Sequence, residues 1–567
     1  MLKVALCAFW NPSRMGIDRQ PLILFFHHTE AMPDPPRLAF ARVLCIVEVM
    51  KRLPVLVVLF FALQALGAEP SAPAVAKPRH VVVMVWDGMR PDFVTETNTP
   101  ALFQLARQGV TFKNHHPVYI SSTEVNGAAM ATGDYPGTNW IVANREYRPE
   151  INPMKAVATE SMGTARKAGK NYLGAKTIAQ ILQEQGMPTT VAGTKGVVIL
   201  QDPGLERVSE AALKSVNLIA GQSLPAAAQE MIVKEQGTFP PEVMFPNEKQ
   251  DNWTAKSLTD TLWKDGLPAF SLLWMSDPDY SQHQSAPGSP TALAAIKDND
   301  SRLASVLAVI ETKGAKSDTD VFVVSDHGFS TIEKSIDLQA ILVAAGFKVS
   351  SGEFSEPPKP GDILMVGLGG SVLFYVIGHD EIVTRKLVDF FQESDFAGVI
   401  FSRVAVEGAF GLDQARIASP GAPDVVLAFH SNAGKNQYGA PGLIDAVGKG
   451  AEGKGMHASL GRYDMHNTLI AAGPDFRKGM ADDLPTGNVD LAPTILKILG
   501  VPAPTPMDGR VLDEALVDGG DKPAVKNFTV EAKRSLEKTR WRQYLDVSQV
   551  GTTVYFNEGN GGAVPSE

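Results

Sequence analysis

The chain has 567 residues, with 44% hydrophobic and 20% charged residues and a formal net charge of -10. That length allows about two to four domains and a large core, and the negative balance argues against a nucleic-acid polymer as partner. The two cysteines, Cys7 and Cys45, both lie near the N-terminus.

Residues 50–68 begin with Met50, Lys51 and Arg52, run through an apolar stretch and end in small residues. This is the form of a secretory signal with cleavage near Gly67 or Ala68. The apolar run is short for a membrane anchor. Residues 1–49 then read as an upstream extension from a wrongly assigned start, with no sustained period and no expected fold. The mature protein is expected to be secreted or periplasmic, without cysteine and without stable membrane insertion. N-terminal sequencing of the exported protein should start between Gly67 and Ser71, and mature protein that retained residues 1–49 would refute the assignment.

An Ala/Pro linker covers 69–78. His80 to Trp86 is a continuous apolar run, read as a buried parallel strand that delivers Asp87 at its carboxyl end. Open α/β sheets place ligands at such ends. Thr99-Pro100 starts a helix that Gly109 ends. A loop from Pro117 to Ser122 leads to Thr123, read as the N-cap of a helix from Glu124 to about Ala131. A hydroxyl there faces free N–H groups and the positive end of the helix dipole, a suitable place for an oxygen nucleophile and the phosphate it attacks. A helix over 175–186 and a strand from Thr189 lead to Lys195. The strand 269–275 ends near Asp279 and His283, a helix spans about 291–313, and the strand 320–324 ends in Ser325-Asp326-His327-Gly328.

Residues 335–423 mix strand-like and helix-like pieces with frequent Gly and Pro, and read as an inserted cap subdomain. The expected organisation is a catalytic α/β core over 78–334 and 424–525, interrupted by that cap and followed by a tail over 526–567. Strands alternating with helices predict an α/β fold with a largely parallel sheet.

Asp87, Asp279 and Asp326 each follow an apolar strand, and three carboxylates at one end of a sheet repel one another unless a cation holds them. His283, His327 and His457 accompany them, and imidazoles mixed with carboxylates favour zinc over magnesium or calcium. Six such ligands suffice for two ions with open positions left over. His430 and His466 lack this setting and read as ordinary polar residues.

Asp87-Gly88, Thr123 with Thr132-Gly-Asp-Tyr-Pro136, Asp279-x-x-x-His283, Ser325-Asp326-His327-Gly328 and Gly455-x-His457 together resemble the alkaline phosphatase superfamily, in its type I phosphodiesterase/nucleotide pyrophosphatase branch. The resemblance runs from about 80 to 515. It implies an alkaline-phosphatase-like three-layer α/β/α sandwich and two zinc ions, one held by Asp279, His283 and His457, the other by Asp87, Asp326, His327 and Thr123. It implies that Thr123 attacks phosphorus to give a phosphothreonine, and that Asn144, in Ile141-Val-Ala-Asn144, donates to a phosphoryl oxygen. Two in-line displacements then give net retention at phosphorus.

The chain departs from the family after the nucleophile, where Glu124-Val-Asn126-Gly replaces an aromatic residue, Pro and Asn-His; Asn126 reads as a helix-turn residue. Monoesterase relatives carry Lys-x-Arg for a dianionic phosphate; here Lys195-Gly-Val197 keeps the Lys alone. The expected activity is hydrolysis of a small-molecule phosphate diester or pyrophosphate. The alternatives are an alkaline phosphatase-like phosphomonoesterase or phosphonate hydrolase, and, from another class, a binding protein that kept the fold.

Overall fold

The structure, a computed structural model, describes residues 79–565 apart from 205, 206, 450 and 538. The expected extension 1–49, the signal at 50–68 and the linker at 69–78 lie outside the described residues. Among the described residues, no helix is long and apolar enough to cross a membrane.

Nine strands form the main sheet: β1 (His80–Trp86), β2 (Val110–His116), β3 (Thr189–Gly193), β4 (Val216–Ile219), β5 (Gln222–Leu224), β6 (Phe270–Met275), β7 (Thr319–Val324), β8 (Leu469–Ala472) and β9 (Met480–Gly487). Their spatial order is β9-β2-β8-β7-β1-β6-β3-β4-β5. The centre, β7-β1-β6-β3-β4, is parallel. β8 runs antiparallel to both its neighbours, and β5 to β4. The sheet is therefore mixed rather than uniformly parallel.

The residues of β1 alternate between two cores. Val81, Val83 and Val85 pack with Ala128, Leu491 and Ile495 on one face. Val82, Met84 and Trp86 pack with Leu102, Ile296 and Leu303 on the other. A strand buried on both faces has no polar face to show, which is why its sequence is an unbroken apolar run. Each such fully buried side chain stabilises the fold by ~1.5–3 kcal/mol relative to exposure. The helices that cover the faces include α1 (Pro100–Gln108), α2 (Thr123–Thr132), α3 (Pro290–Thr312) and α4 (Leu491–Ile498).

The helix expected from Glu124 begins one residue earlier. Ser122 is the extended residue before it, and Thr123 is its first helical residue. The Thr123 hydroxyl is thus not a cap. It points across to the sheet, because the first turn of α2 is pinned against the carboxyl ends of the strands.

A second, six-stranded sheet is built from Val349–Ser351, Ile363–Gly367, Ser371–Val376, Val425–Phe429, Ala397–Ser402 and Phe410–Gly411, in that spatial order. Val425–Phe429 was expected to return to the main core, yet it pairs with Ser371–Val376 and Ala397–Ser402. An apolar run specifies a doubly buried strand but not the sheet that buries it. A four-stranded sheet (Ser431–Lys435, Pro441–Val447, Ser330–Ile336, Gly455–Met456) follows β7 and carries the chain towards His457.

The segment read as a tail, 526–567, is not a tail where it is described. Val525–Ser535, Thr539–Val550 and Thr553–Pro565 form a three-stranded antiparallel sheet. Trp541, Gln543, Leu545 and Val547 are buried, at every second position, the strand period. Leu545, Val547 and Phe556 join the core of the second sheet, and Tyr555 donates to Asp490 at 2.8 Å beside α4.

Candidate functional site

The four central strands end side by side, and each brings titratable side chains to the same place. In the order β7-β1-β6-β3 these are Asp326 with His327, Asp87, Asp279 and Lys195. The strand ends are level, since Val85 lies opposite Val324 and Trp86 opposite Met275. Gly88 turns the chain away after Asp87 with φ of +71°, and a Cβ there would stand 2.9 Å from the Phe329 ring. Only glycine satisfies both conditions cheaply.

Asp87, Asp326 and His327 present ligand atoms that lie within 4.8 Å of one another, and so do Asp279, His327 and His457. His283 joins the second group through Nε2, 3.2 Å from Asp279 Oδ1. The rings of His327 and His457 stack with centroids 3.7 Å apart, which places the two groups against each other. Thr123 Oγ1 lies 3.3 Å from His327 Nε2. His430 and His466 stand elsewhere: His430 Nδ1 meets Asn560 at 3.2 Å, and His466 Nε2 meets Asn114 at 3.2 Å.

The donor set fits metal ions on two counts. Asp87 Oδ1, Asp279 Oδ1 and Asp326 Oδ2 are buried and have no hydrogen-bond partner. A buried anionic oxygen left bare is costly unless a cation meets it. Each imidazole is also oriented from behind. His283 Nδ1 donates to Gly455 O at 3.1 Å, His327 Nδ1 to Gly328 O at 2.9 Å, and His457 Nδ1 to Ser121 O at 2.9 Å. That turns Nε2 of all three towards the aspartate oxygens, the arrangement by which second contacts fix a ligating histidine.

The other carboxylate oxygens are held by the protein. Asp87 Oδ2 accepts from Trp274 Nε1 at 2.7 Å and lies 2.9 Å from Lys195 Nζ. Asp279 Oδ2 lies 3.1 Å from the same Nζ. Asp326 Oδ1 accepts from Gly88 N at 2.9 Å. Lys195 therefore ties the outer oxygens of two aspartates together. It also reaches Thr123 Oγ1 at 3.4 Å and stands 5.1 Å from the centre of the Tyr280 ring.

The groups divide the available positive charge unequally. Burial and then Asp326 push the Asp87 carboxyl well above its usual range. Burial opposes ionisation of Asp279 too, but Lys195 and His283 outweigh it and hold that carboxyl well below its usual range. Burial alone would lower His327, yet Asp326, Asp87 and Asp279 raise it to about 9. Burial, with His327 beside it, keeps His457 well below the usual imidazole range. The carboxylate cluster attracts a proton onto His327 for the same reason it would attract a metal ion.

Asn144 sits half-buried in the loop after Ile141, with its Oδ1 buried and without a partner. Its neighbour Ala143 packs in one cluster with Ile120 and Ala458, beside the approaches to Thr123 and His457. Val197 departs from the expected register. It is fully buried and faces α2, where a Cβ on Gly127 would meet its Cγ2 at 2.7 Å. Position 197 is thus part of the core and not of the site, and an arginine there would be buried rather than added to a phosphate contact.

Several contributors were not visible in the sequence. Trp274 read only as an apolar strand residue. Glu124 is buried beside Thr123 with Oε2 unpartnered, and burial, then Glu160, raises its carboxyl well above the usual range. Its place directly after Thr123 was the available signal.

The fold and this donor set define a member of the alkaline phosphatase superfamily. The sequence profile described as type I phosphodiesterase/nucleotide pyrophosphatase matches residues 81–388, and the chain belongs to that family. Relatives include the human ectonucleotide pyrophosphatase/phosphodiesterase family member 7, 21% identical over 460 residues that make up 80% of this chain and 87% of that protein. Human family member 1 is 22% identical over 262 residues, 46% of this chain and 24% of that protein. Human family member 5 is 23% identical over 287 residues, 50% of this chain and 52% of that protein. The chain thus spans only a quarter to a half of the length of those last two relatives. Among solved structures, murine ectonucleotide pyrophosphatase/phosphodiesterase 5, in an inactive form in complex with AMP, superposes with a TM-score of 0.53 at 16% identity, covering 77% of this chain and 100% of that one. That likeness concerns the fold.

Proposed function

We propose that the chain is an exported phosphoric ester hydrolase that binds two zinc ions and uses Thr123 as nucleophile, acting on small phosphate diesters or pyrophosphates. The observation that carries this reading is the set of three buried carboxylate oxygens without a hydrogen-bond donor, on Asp87, Asp279 and Asp326, facing three imidazoles that turn Nε2 towards them. One ion would be held by Asp279, His283 and His457, the other by Asp87, Asp326, His327 and Thr123. When bound, such ions supply Lewis acidity, which lowers the pKa of an attached oxygen and neutralises charge on the phosphoryl group.

The protein's own groups do the rest. Thr123 Oγ1, its hydroxyl proton given up to solvent, forms a bond to phosphorus while the ester oxygen opposite leaves with its electron pair and takes up a proton from water. Water then attacks the phosphothreonine on the same line and returns the threonine, so configuration at phosphorus is retained. The first N–H groups of α2 and the Asn144 amide would supply donors to charge developing on the non-bridging oxygens. Lys195 keeps the outer oxygens of Asp87 and Asp279 occupied, so that their inner oxygens stay turned to the ions. The second sheet, which reaches the site where Gly370 N donates to His457 O at 2.9 Å, serves as the cap.

A second reading, phosphomonoesterase or phosphonate hydrolase, is favoured by the ammonium of Lys195 at the nucleophile. Diesters are preferred here because no arginine accompanies that lysine and Val197 faces the core. The AMP complex of the murine relative motivates a nucleoside ester as one test substrate. Turnover of p-nitrophenyl phosphate, its bis-ester and a thymidine monophosphate p-nitrophenyl ester should favour the two diesters. A hundredfold preference for the monoester would establish the second reading instead. In Lys195→Met, kcat/KM for the monoester should fall about tenfold further than for the diesters, the worth of ~1.4 kcal/mol for one charged contact to a dianion. Equal losses on all three substrates would show that Lys195 acts on the carboxylates alone.

A further inference from the structure

We propose that Asn488 is a positioning residue that locks the nucleophile helix to the loop carrying Asp326, and so sets the loading of the ion at Asp87, Asp326 and His327. The inference rests on the two-zinc reading above and concerns how the chain builds that site.

Asn488 is fully buried in the short turn before α4. Its Nδ2 donates to Asn126 Oδ1 at 2.9 Å and to the Asp326 backbone carbonyl at 2.6 Å. Its Oδ1 accepts from His115 Nε2 at 3.0 Å and from Asn467 Nδ2 at 3.3 Å. A primary amide has two N–H donors and two acceptor positions, and here all four are used. The orientation of the amide is fixed as well. Turned over, it would set an oxygen against the Asp326 carbonyl and against Asn126 Oδ1. Asn126 cannot turn to compensate, because its Oδ1 also accepts from Val118 N at 2.8 Å while its Nδ2 faces the Val118, Ile120 and Ser122 carbonyls.

The two ends of this clamp are parts of the site. Asn126 lies one turn after Thr123 on α2, and its amide also shapes the loop that enters that helix. Asp326 turns its bare Oδ2 to the site, 3.1 Å from His327 Nε2. Asn126 and Asn488 are 362 residues apart in sequence, so no local propensity brings them together. A rigid amide bridge between them holds the nucleophile and one ligand strand at a fixed separation, which a bound ion requires of its ligands.

The test uses Asn488→Asp, which keeps shape and acceptors but opposes oxygen to oxygen at both contacts. Zinc content is measured by elemental analysis across a series of zinc buffers, alongside kcat and KM. Half-loading of one of the two ions should move to about 10–100-fold higher free zinc, as expected when an outer partner of a ligand is lost. The other ion should load as in the wild type, and kcat should fall by a similar factor with KM within about twofold, since the loss is in positioning rather than substrate contact. Ile310→Ala, a core truncation in α3 towards the opposite end of the sheet, controls for destabilisation: it should lower the melting temperature and leave both zinc curves unmoved. If Asn488→Asp does not fold, Asn488→Ser, too short to reach either partner, reads the same quantity. A variant that loads both ions at wild-type free zinc overturns the clamp. Wild-type protein that binds no zinc overturns the metal reading instead, so the two failures are distinguishable.

Discussion

Thr123→Ala should lose at least about a thousandfold in kcat, since removing a covalent nucleophile that acts in concert with its activating groups costs ~4 kcal/mol or more of transition-state stabilisation. The structure makes this a clean deletion. Among the described residues the Thr123 hydroxyl meets only His327 Nε2 and Lys195 Nζ, at 3.3 and 3.4 Å, and Ser122 occupies the cap position of α2. The alanine variant should therefore fold and melt close to the wild type. Thr123→Ser keeps the oxygen but loses the methyl group that restricts χ1, so it should retain measurable turnover below the wild type. Acid quenching during turnover should trap a phosphate on residue 123, seen by mass spectrometry in the wild type and absent in the alanine variant. An alanine variant within tenfold of wild-type kcat would remove Thr123 from the mechanism.

Chelation should abolish turnover, and zinc should restore it best among divalent ions, because the donor set mixes three imidazoles with three carboxylates. The effect should also be visible without any assay of activity. Loss of a ligand present at about a thousand times its Kd removes ~4 kcal/mol of apparent stability, so the melting temperature should fall on chelation and recover with zinc. Asp279→Ala and His457→Ala should each lower the zinc content, because Asp279 Oδ1 stands 3.6 Å from His457 Nε2 and each would lose its counterpart. His466→Ala should not, since that ring is engaged with Asn114 and the Arg462 carbonyl away from the site. Active protein that contained no transition metal by elemental analysis would refute the assignment.

Much of the site was legible because of where it sits on the chain. Asp87 and Asp326 follow valine-rich apolar runs, and such runs form buried parallel strands whose carboxyl ends meet. Lys195 was placed by resemblance to the lysine of a Lys-x-Arg pair, and its ammonium does lie among the carboxylates. Val197, two residues on, turns into the core, because the segment after Lys195 winds into a short 3₁₀ helix, Gly196–Leu200, that packs under α2. Residue spacing carries no information about that winding. Trp274 was hidden by its type: an apolar strand residue reads as core, and only the approach of Asp87 shows that its indole N–H has a charged partner.

What the sequence determined by itself is the set of strands in the main sheet that carry the carboxylates, several of the helices between them, and which charged residues stand at the strand ends as candidate ligands. These follow from local apolar periodicity and from short motifs at strand ends, both of which are written in neighbouring residues. The tertiary structure alone decided which sheet receives Val425–Phe429, that the charged C-terminal segment is an alternating three-stranded sheet packed on both larger units, and that Thr123 starts its helix rather than capping it. It alone decided the assembly of the site's outer contacts: Trp274 on Asp87, the three backbone carbonyls behind the histidines, and Asn488 between Asn126 and Asp326. Those contacts join segments hundreds of residues apart, and their energies depend on burial and direction that no local pattern encodes.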